Sequence, residues 1–192
     1  MMRFVKGKRK RFRDRRGMTI SELLIAVAIL GFVALGAVIA INLGVSQYRE
    51  SVRQSEAQKL YSTLETVLTN ELRYTSSLTY AEGGTETDGY RQVETVFSVT
   101  YAVKNHDTKL VSLNADGEEA QSGELAFGYD GEYNRILGSA AYTEDLAVSG
   151  VIYYNSTQNR FLVELTIEAD GRAYVDRKTF PVRCLGEVRT GE

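Results

Sequence analysis

The sequence predicts an α+β chain: one long amino-terminal helix, apolar along its first half, packed through its second half on an antiparallel β-sheet head. Three observations carry this. Leu23–Ile41 is a run of 19 consecutive residues without a polar side chain. Residues 48–78 hold apolar side chains at helical spacing and contain neither Gly nor Pro. Beyond Gly89, short runs rich in Val, Ile, Tyr, Phe and Thr alternate with turn clusters.

The apolar run comes first. At about 1.5 Å per helical residue it spans roughly 28 Å, close to the hydrocarbon thickness of a bilayer. In lipid a backbone must satisfy its own hydrogen bonds, so the run is one helix. Before it, residues 1–17 hold nine Lys/Arg and a single acid, Asp14, a net charge of +8. The whole chain carries −2, so everything after Gly17 carries −10. Asymmetry of this kind reports topology or an interaction tail rather than a fold. Lys and Arg flanking an apolar span hold that end in the cytoplasm. On the far side Arg49, Arg53 and Lys59 alternate with Glu50 and Glu56, a much weaker bias. The predicted orientation is amino end inside, carboxyl-terminal head outside. A basic arm could bind nucleic acid, but its position against a membrane-length run argues for topology, and no nucleic-acid contact is expected. A secretory signal peptide has a shorter apolar core, about 7–15 residues, and a small-x-small cleavage site. Ala37-Val38-Ile39-Ala40 lacks that pattern.

The helix then changes character. Apolar positions fall at Tyr48, Val52, Ala57, Leu60, Tyr61, Leu64, Val67, Leu68 and Leu72, and from Ala57 they trace a stripe along one face. A continuous helix from about Thr19 to about Leu78 would measure roughly 90 Å. The expected organisation is a basic leader over 1–17, a transmembrane half over 18–45, an amphipathic half over 46–78, and a β-rich head over 79–192.

The head must cover the stripe. Gly83-Gly84-Thr85-Glu86-Thr87-Asp88-Gly89 reads as a loop. In Val93–Val103, Val93, Phe97, Val99, Tyr101 and Val103 fall on one strand face. Lys109–Leu113 precedes the turn Asn114-Ala115-Asp116-Gly117, and Leu125–Tyr129 meets the hairpin signal Asp130-Gly131. Gly150–Asn155, Arg160–Glu168 and Arg172–Val182 follow, the last two joined by Asp170-Gly171. The pattern predicts an antiparallel meander of five to seven strands, with residues 133–148 unassigned.

Gly17-Met18-Thr19-Ile20-Ser21-Glu22-Leu23-Leu24, with its basic leader and apolar helix, resembles the amino terminus of type IV pilins and pseudopilins. The resemblance is close over residues 15–45 and loose over the long-helix-plus-sheet layout. It implies cleavage between Gly17 and Met18 by a membrane-embedded prepilin peptidase, and N-methylation of Met18. It further implies contact with an inner-membrane assembly platform and polymerisation with other pilin or pseudopilin subunits into a cell-surface filament. Thr19 and Glu22 fall on the family's second and fifth mature positions, and Gly31 on its helical glycine; the resemblance assigns these three to assembly. Three departures stand beside it. Met18 replaces the commoner Phe, no Pro interrupts the helix near Ile39 or Lys59, and no carboxyl-terminal Cys pair is present. They favour a pseudopilin, a minor pilin or a Gram-positive variety.

Physical chemistry points the same way for Glu22. A carboxylate at a bilayer centre costs on the order of 2.5–3.5 kcal/mol, so it should find a partner. Cleavage after Gly17 creates a cationic amine four residues away, which a neighbouring subunit could offer between chains. The competing reading sets Glu22 at headgroup level against Arg16. Ala26, Ala28, Gly31, Ala34, Gly36, Ala37 and Ala40 would let apolar helices approach closely, though small residues are ordinary in membrane helices.

Other signals carry less. Asp116, Glu118 and Glu119 resemble half of a calcium loop without its regular ligand spacing, and a solvated loop is the expected role. His106 reads as a surface turn residue. Cys184, the single cysteine, can make no intrachain disulfide and reads as a small buried hydrophobe. Asn155-Ser156-Thr157 matches a glycosylation acceptor. Tyr90, Tyr101, Tyr129, Tyr133, Tyr142, Tyr153, Tyr154 and Tyr174 suit half-buried strands. The residues offer no catalytic set, no metal site and no cofactor motif, so no enzymatic activity is expected. The opposing expectation is an unprocessed, single-pass membrane-anchored binding module outside the cytoplasm.

Overall fold

The computed structural model describes residues 19–98 and 106–191. The chain divides into two compact units, Met1–Tyr48 and Arg49–Glu192, and the boundary falls inside a single α-helix, α1, Ile20–Leu72. The fold class is the expected one: a long helix followed by a large, mainly antiparallel sheet.

In the first unit every described side chain of α1 is exposed, and the large apolar ones from Ile20 to Val45 range from 47 % to 81 %. α1 is the one described helix long and apolar enough to cross a membrane. An apolar stretch this size left in water would be far beyond the patches soluble monomers tolerate.

In the second unit the stripe behaves as its spacing predicts. Ala57, Leu60, Tyr61, Leu64, Leu68 and Leu72 are buried, Val52 and Val67 are half-buried, and the intervening polar residues face outward. On that polar side the hydroxyls of Ser62, Thr63 and Thr66 donate back to the carbonyls of Gln58, Lys59 and Ser62.

The helix ends at Leu72, not near Leu78 as its unbroken sequence suggests. Residues 75–80 are instead strand β1, Thr75–Tyr80, which pairs antiparallel with β3, Tyr90–Ser98. No Gly or Pro marks the change. The reason is tertiary: Thr, Ser and Tyr are indifferent helix formers, and as a strand this segment buries Leu78 in the core. The Leu185 N–H donates to the free Arg73 carbonyl at 3.0 Å, satisfying part of the helix end.

The described residues contain eleven strands, more than the five to seven expected, and they do not form a simple meander. The predicted loop over 83–89 holds β2, Glu86–Thr87, and a tight hairpin into β3 through Asp88 (φ 52°) and Gly89 (φ 77°). Then come β4, Asp107–Leu113, β5, Glu119–Ala120, β6, Glu124–Tyr129, and β7, Glu132–Arg135. A 3₁₀ turn at Ser139–Ala141 leads to β8, Ala147–Asn155, which resolves the unassigned 133–148 stretch. Last are β9, Arg160–Ala169, β10, Arg172–Arg183, and β11, Arg189–Gly191. The principal order is β10-β9-β8-β3-β4-β6-β7, so β8 returns to lie beside β3. β11 departs from the antiparallel expectation and runs parallel to β1. Asp130-Gly131 (φ 48°, 79°) and Asp170-Gly171 (φ 52°, 74°) make the expected hairpins with both residues left-handed.

β9 shows the clearest alternation, with Phe161, Val163, Leu165, Ile167 and Ala169 all buried. β3 breaks it. A register shift between Thr79 and Tyr80 leaves Glu94 bulged, so Val93 and Val96 are both buried while Phe97 is only half-buried. The expected shared face for Val93 and Phe97 is therefore wrong; Val99, Tyr101 and Val103 lie outside the described residues. Among the described residues β10 pairs only with β9, and its edge is guarded by two register shifts, Pro181 and the charges of Asp176, Arg177 and Lys178.

Burial also sets an alkaline limit on the head. It pushes the phenols of Tyr142 and Tyr154 up to about 12 and the Cys184 thiol up to about 11. In the unfolded chain these groups ionise near 10 and 9, so their neutral forms support folding fully below about pH 9. That support is lost as pH rises through about 11 to 12. The urea midpoint should hold from pH 7 to 9 and fall between pH 10 and 12; a flat profile there would contradict the burial.

Candidate site at the start of the helix

Thr19 precedes the first helical residue and caps α1. Its carbonyl accepts the first helical bond from the Leu23 N–H at 3.1 Å, and its hydroxyl oxygen accepts from the Glu22 N–H at 3.3 Å. Glu22 answers. Its Oε2 accepts the Thr19 backbone N–H and the Thr19 hydroxyl, both at 2.9 Å. The Ser21 and Thr19 hydroxyls sit 3.0 Å apart. This is a reciprocal capping box, in which two orphan donors of the helix start are satisfied at once. The carboxylate also lies at the positive end of the helix dipole.

The Thr-x-x-Glu spacing before an apolar run is the sequence signature of this arrangement, so Glu22 has a local partner that its charge alone does not suggest. The structure thus joins two of the expected site residues, Thr19 and Glu22. Gly17 and Met18 lie outside the described residues.

Gly31 is far from this box, in the middle of the apolar stretch. A Cβ built there, or at Gly36 or Gly44, meets nothing within 4 Å. Each glycine costs a helix about 1 kcal/mol relative to Ala, yet packing among the described residues requires none of them.

The remaining candidates fall into structural roles. Asn155 is buried and its Oδ1 accepts the Gln158 N–H at 2.9 Å, so the glycosylation match is not available in the folded chain. The Asn114 carboxamide oxygen accepts from the Asp116 and Glu118 N–H groups, ordering the suspected calcium loop, while Glu119 pairs with Lys109 at 2.9 Å and accepts from Tyr133. His106 is exposed and stacks on Tyr129 with centroids 4.3 Å apart. Cys184 is buried, just past the end of β10. Of the tyrosines, Tyr142 accepts the Leu125 N–H, Tyr154 donates to Asn159 and Tyr174 donates to Glu50; Tyr101 lies outside the described residues.

Residues 12–38 match the model of the prokaryotic N-terminal methylation motif, and that span covers the capping box and Gly31. No curated protein and no solved structure matches the chain significantly.

Proposed function

Since the chain carries the prokaryotic N-terminal methylation motif, the signature of type IV pilins and pseudopilins, we propose that it is a structural filament subunit without enzymatic activity, a minor pilin or pseudopilin. In this reading prepilin peptidase cuts after Gly17 and methylates Met18. The processed chain then assembles through residues 18–45 into a pilus-like or secretion-type filament, with its amino end starting in the cytoplasm and its acidic head outside. The observation that carries the proposal is the match over 12–38 coinciding with a helix start built around Glu22 and an apolar helix exposed on all sides. The three glycines that packing among the described residues does not explain support it, because they suit close helix–helix contact in lipid.

Glu22 has two tasks in succession. In the single subunit it caps its own helix. In the filament it accepts the amine of a neighbour and sets the register of each incoming subunit. Glu22→Ala should leave processing intact and abolish filaments, whereas Thr19→Ala should remove only the cap, at about 1 kcal/mol, and reduce assembly less. Filament yield from sheared cells, set against the processed subunit left in the membrane, separates the two; normal assembly of Glu22→Ala would refute the registry role.

Mass spectrometry of the amino-terminal peptide tests the whole reading. An N-methylated Met18 from membrane and sheared-surface fractions is the expected result. An intact Met1 or Met2 start in both would instead make the chain an unprocessed membrane-anchored binding module.

A further inference from the structure

On the sheet face turned away from the buried stripe of α1, strands β8, β9 and β10 line up their outward side chains in transverse rows. One row sets Arg183 directly opposite Arg160, and the next sets Pro181, Leu162 and Tyr153 side by side. Like charges directly opposed on one face destabilise a sheet. Other arginines of these strands have acidic partners, Arg177 with Glu164 at 3.0 Å and Arg172 with Glu50, but among the described residues neither Arg160 nor Arg183 forms an ion pair. This unpaired cationic row belongs to an acidic head: residues 49–192 carry −9, Glu22 being the only charge of 18–48. Beside it Pro181 is exposed and Leu162 and Tyr153 half-buried, an apolar row facing solvent.

A complementary surface lies on the same head. The Asn114 side chain orders the turn that follows β4, so the exposed Asp116 and Glu118 are displayed on a fixed loop, and neither forms an ion pair among the described residues. This turn sits level with Val148, through the Ser112 hydroxyl on the Val148 carbonyl and the Gly123–Val148 bridge. Asn155, the residue opposite Arg160, is seven residues further along β8, about 23 Å away. The two surfaces therefore cannot meet within one molecule. Joined between copies they make a head-to-tail contact, the kind that generates an open filament.

We propose that Arg160 and Arg183, with the Pro181–Leu162–Tyr153 row beside them, dock the Asp116–Glu118 turn of a second copy of this chain. The inference rests on the filament reading and adds a contact at the level of the heads. The test uses the full-length chain in cells with its assembly machinery, reading the processed subunit in membranes and the filament in sheared fractions. R160E/R183E should be processed normally and lose filament roughly tenfold or more, the equivalent of one lost charge pair or greater. D116R/E118R should show the same loss, and the four changes together should restore filaments. R183E alone separates docking from folding: it faces Arg160 with a carboxylate, so the urea midpoint should hold or rise while filament yield falls. Wild-type filament levels in R183E or R160E/R183E, or no recovery in the combined variant, would overturn the contact while filaments from the unaltered chain uphold the filament reading. A processed unaltered chain that makes no filament would sink both.

Discussion

Gly17→Leu should stop maturation completely. The variant chain is expected to reach the membrane, retain all 17 leader residues and yield no filaments. Glycine has no Cβ, so the backbone at the scissile bond can be drawn close to a catalytic centre; Leu places a branched side chain there. The lesion is expected to act before assembly, which separates it from Glu22→Ala, where the proposal expects the leader to be removed and only polymerisation to fail. Migration of the chain on a gel, with and without co-expressed prepilin peptidase, gives the answer. Processing of Gly17→Leu at the normal rate would break the link between this motif and cleavage at this bond.

Phe161→Ala should be the most damaging single change in the head. Phe161 is fully buried, its ring centroid lies 4.9 Å from that of Tyr154, and it belongs to the cluster that joins β9 to the stripe of α1. Truncating such a side chain removes transfer energy and leaves a cavity, a loss of about 3–5 kcal/mol. Whole domains are stable by only about 5–15 kcal/mol, so the variant head should be partly unfolded at growth temperature. Leu162→Ala, one residue along on the outer face, should cost about 1 kcal/mol or less. Urea midpoints of the detergent-solubilised full-length chain give the comparison. Equal losses at the two positions would contradict the strand's inward and outward assignment.

Much of this was legible because local sequence and environment agree. The stripe from Ala57 to Leu72 faces the core at the spacing it shows on paper, and two Asp-Gly pairs make the hairpins their composition demands. The third pair, Asp88-Gly89, was hidden in a run of polar and small residues that looks like plain loop, since a two-residue strand leaves too little alternation to see. The capping box is legible too, in the Thr-x-x-Glu spacing of Thr19 and Glu22, although the charge of a carboxylate beside an apolar run points first to a distant partner.

By itself the sequence determined the fold class of the molecule and the chemistry of its amino end: a basic segment, a glycine, a carboxylate and a membrane-length apolar helix, each readable within a few residues because charge, hydropathy and capping are local. Only the tertiary structure decided where the helix stops, which strands are neighbours and which arginines go unpaired. Leu72 ends α1 because Leu78 gains more as a buried strand residue than as another turn of helix. Arg160 and Arg183 oppose each other because pairing across a sheet brings together residues that lie far apart along the chain, a relation no local pattern encodes.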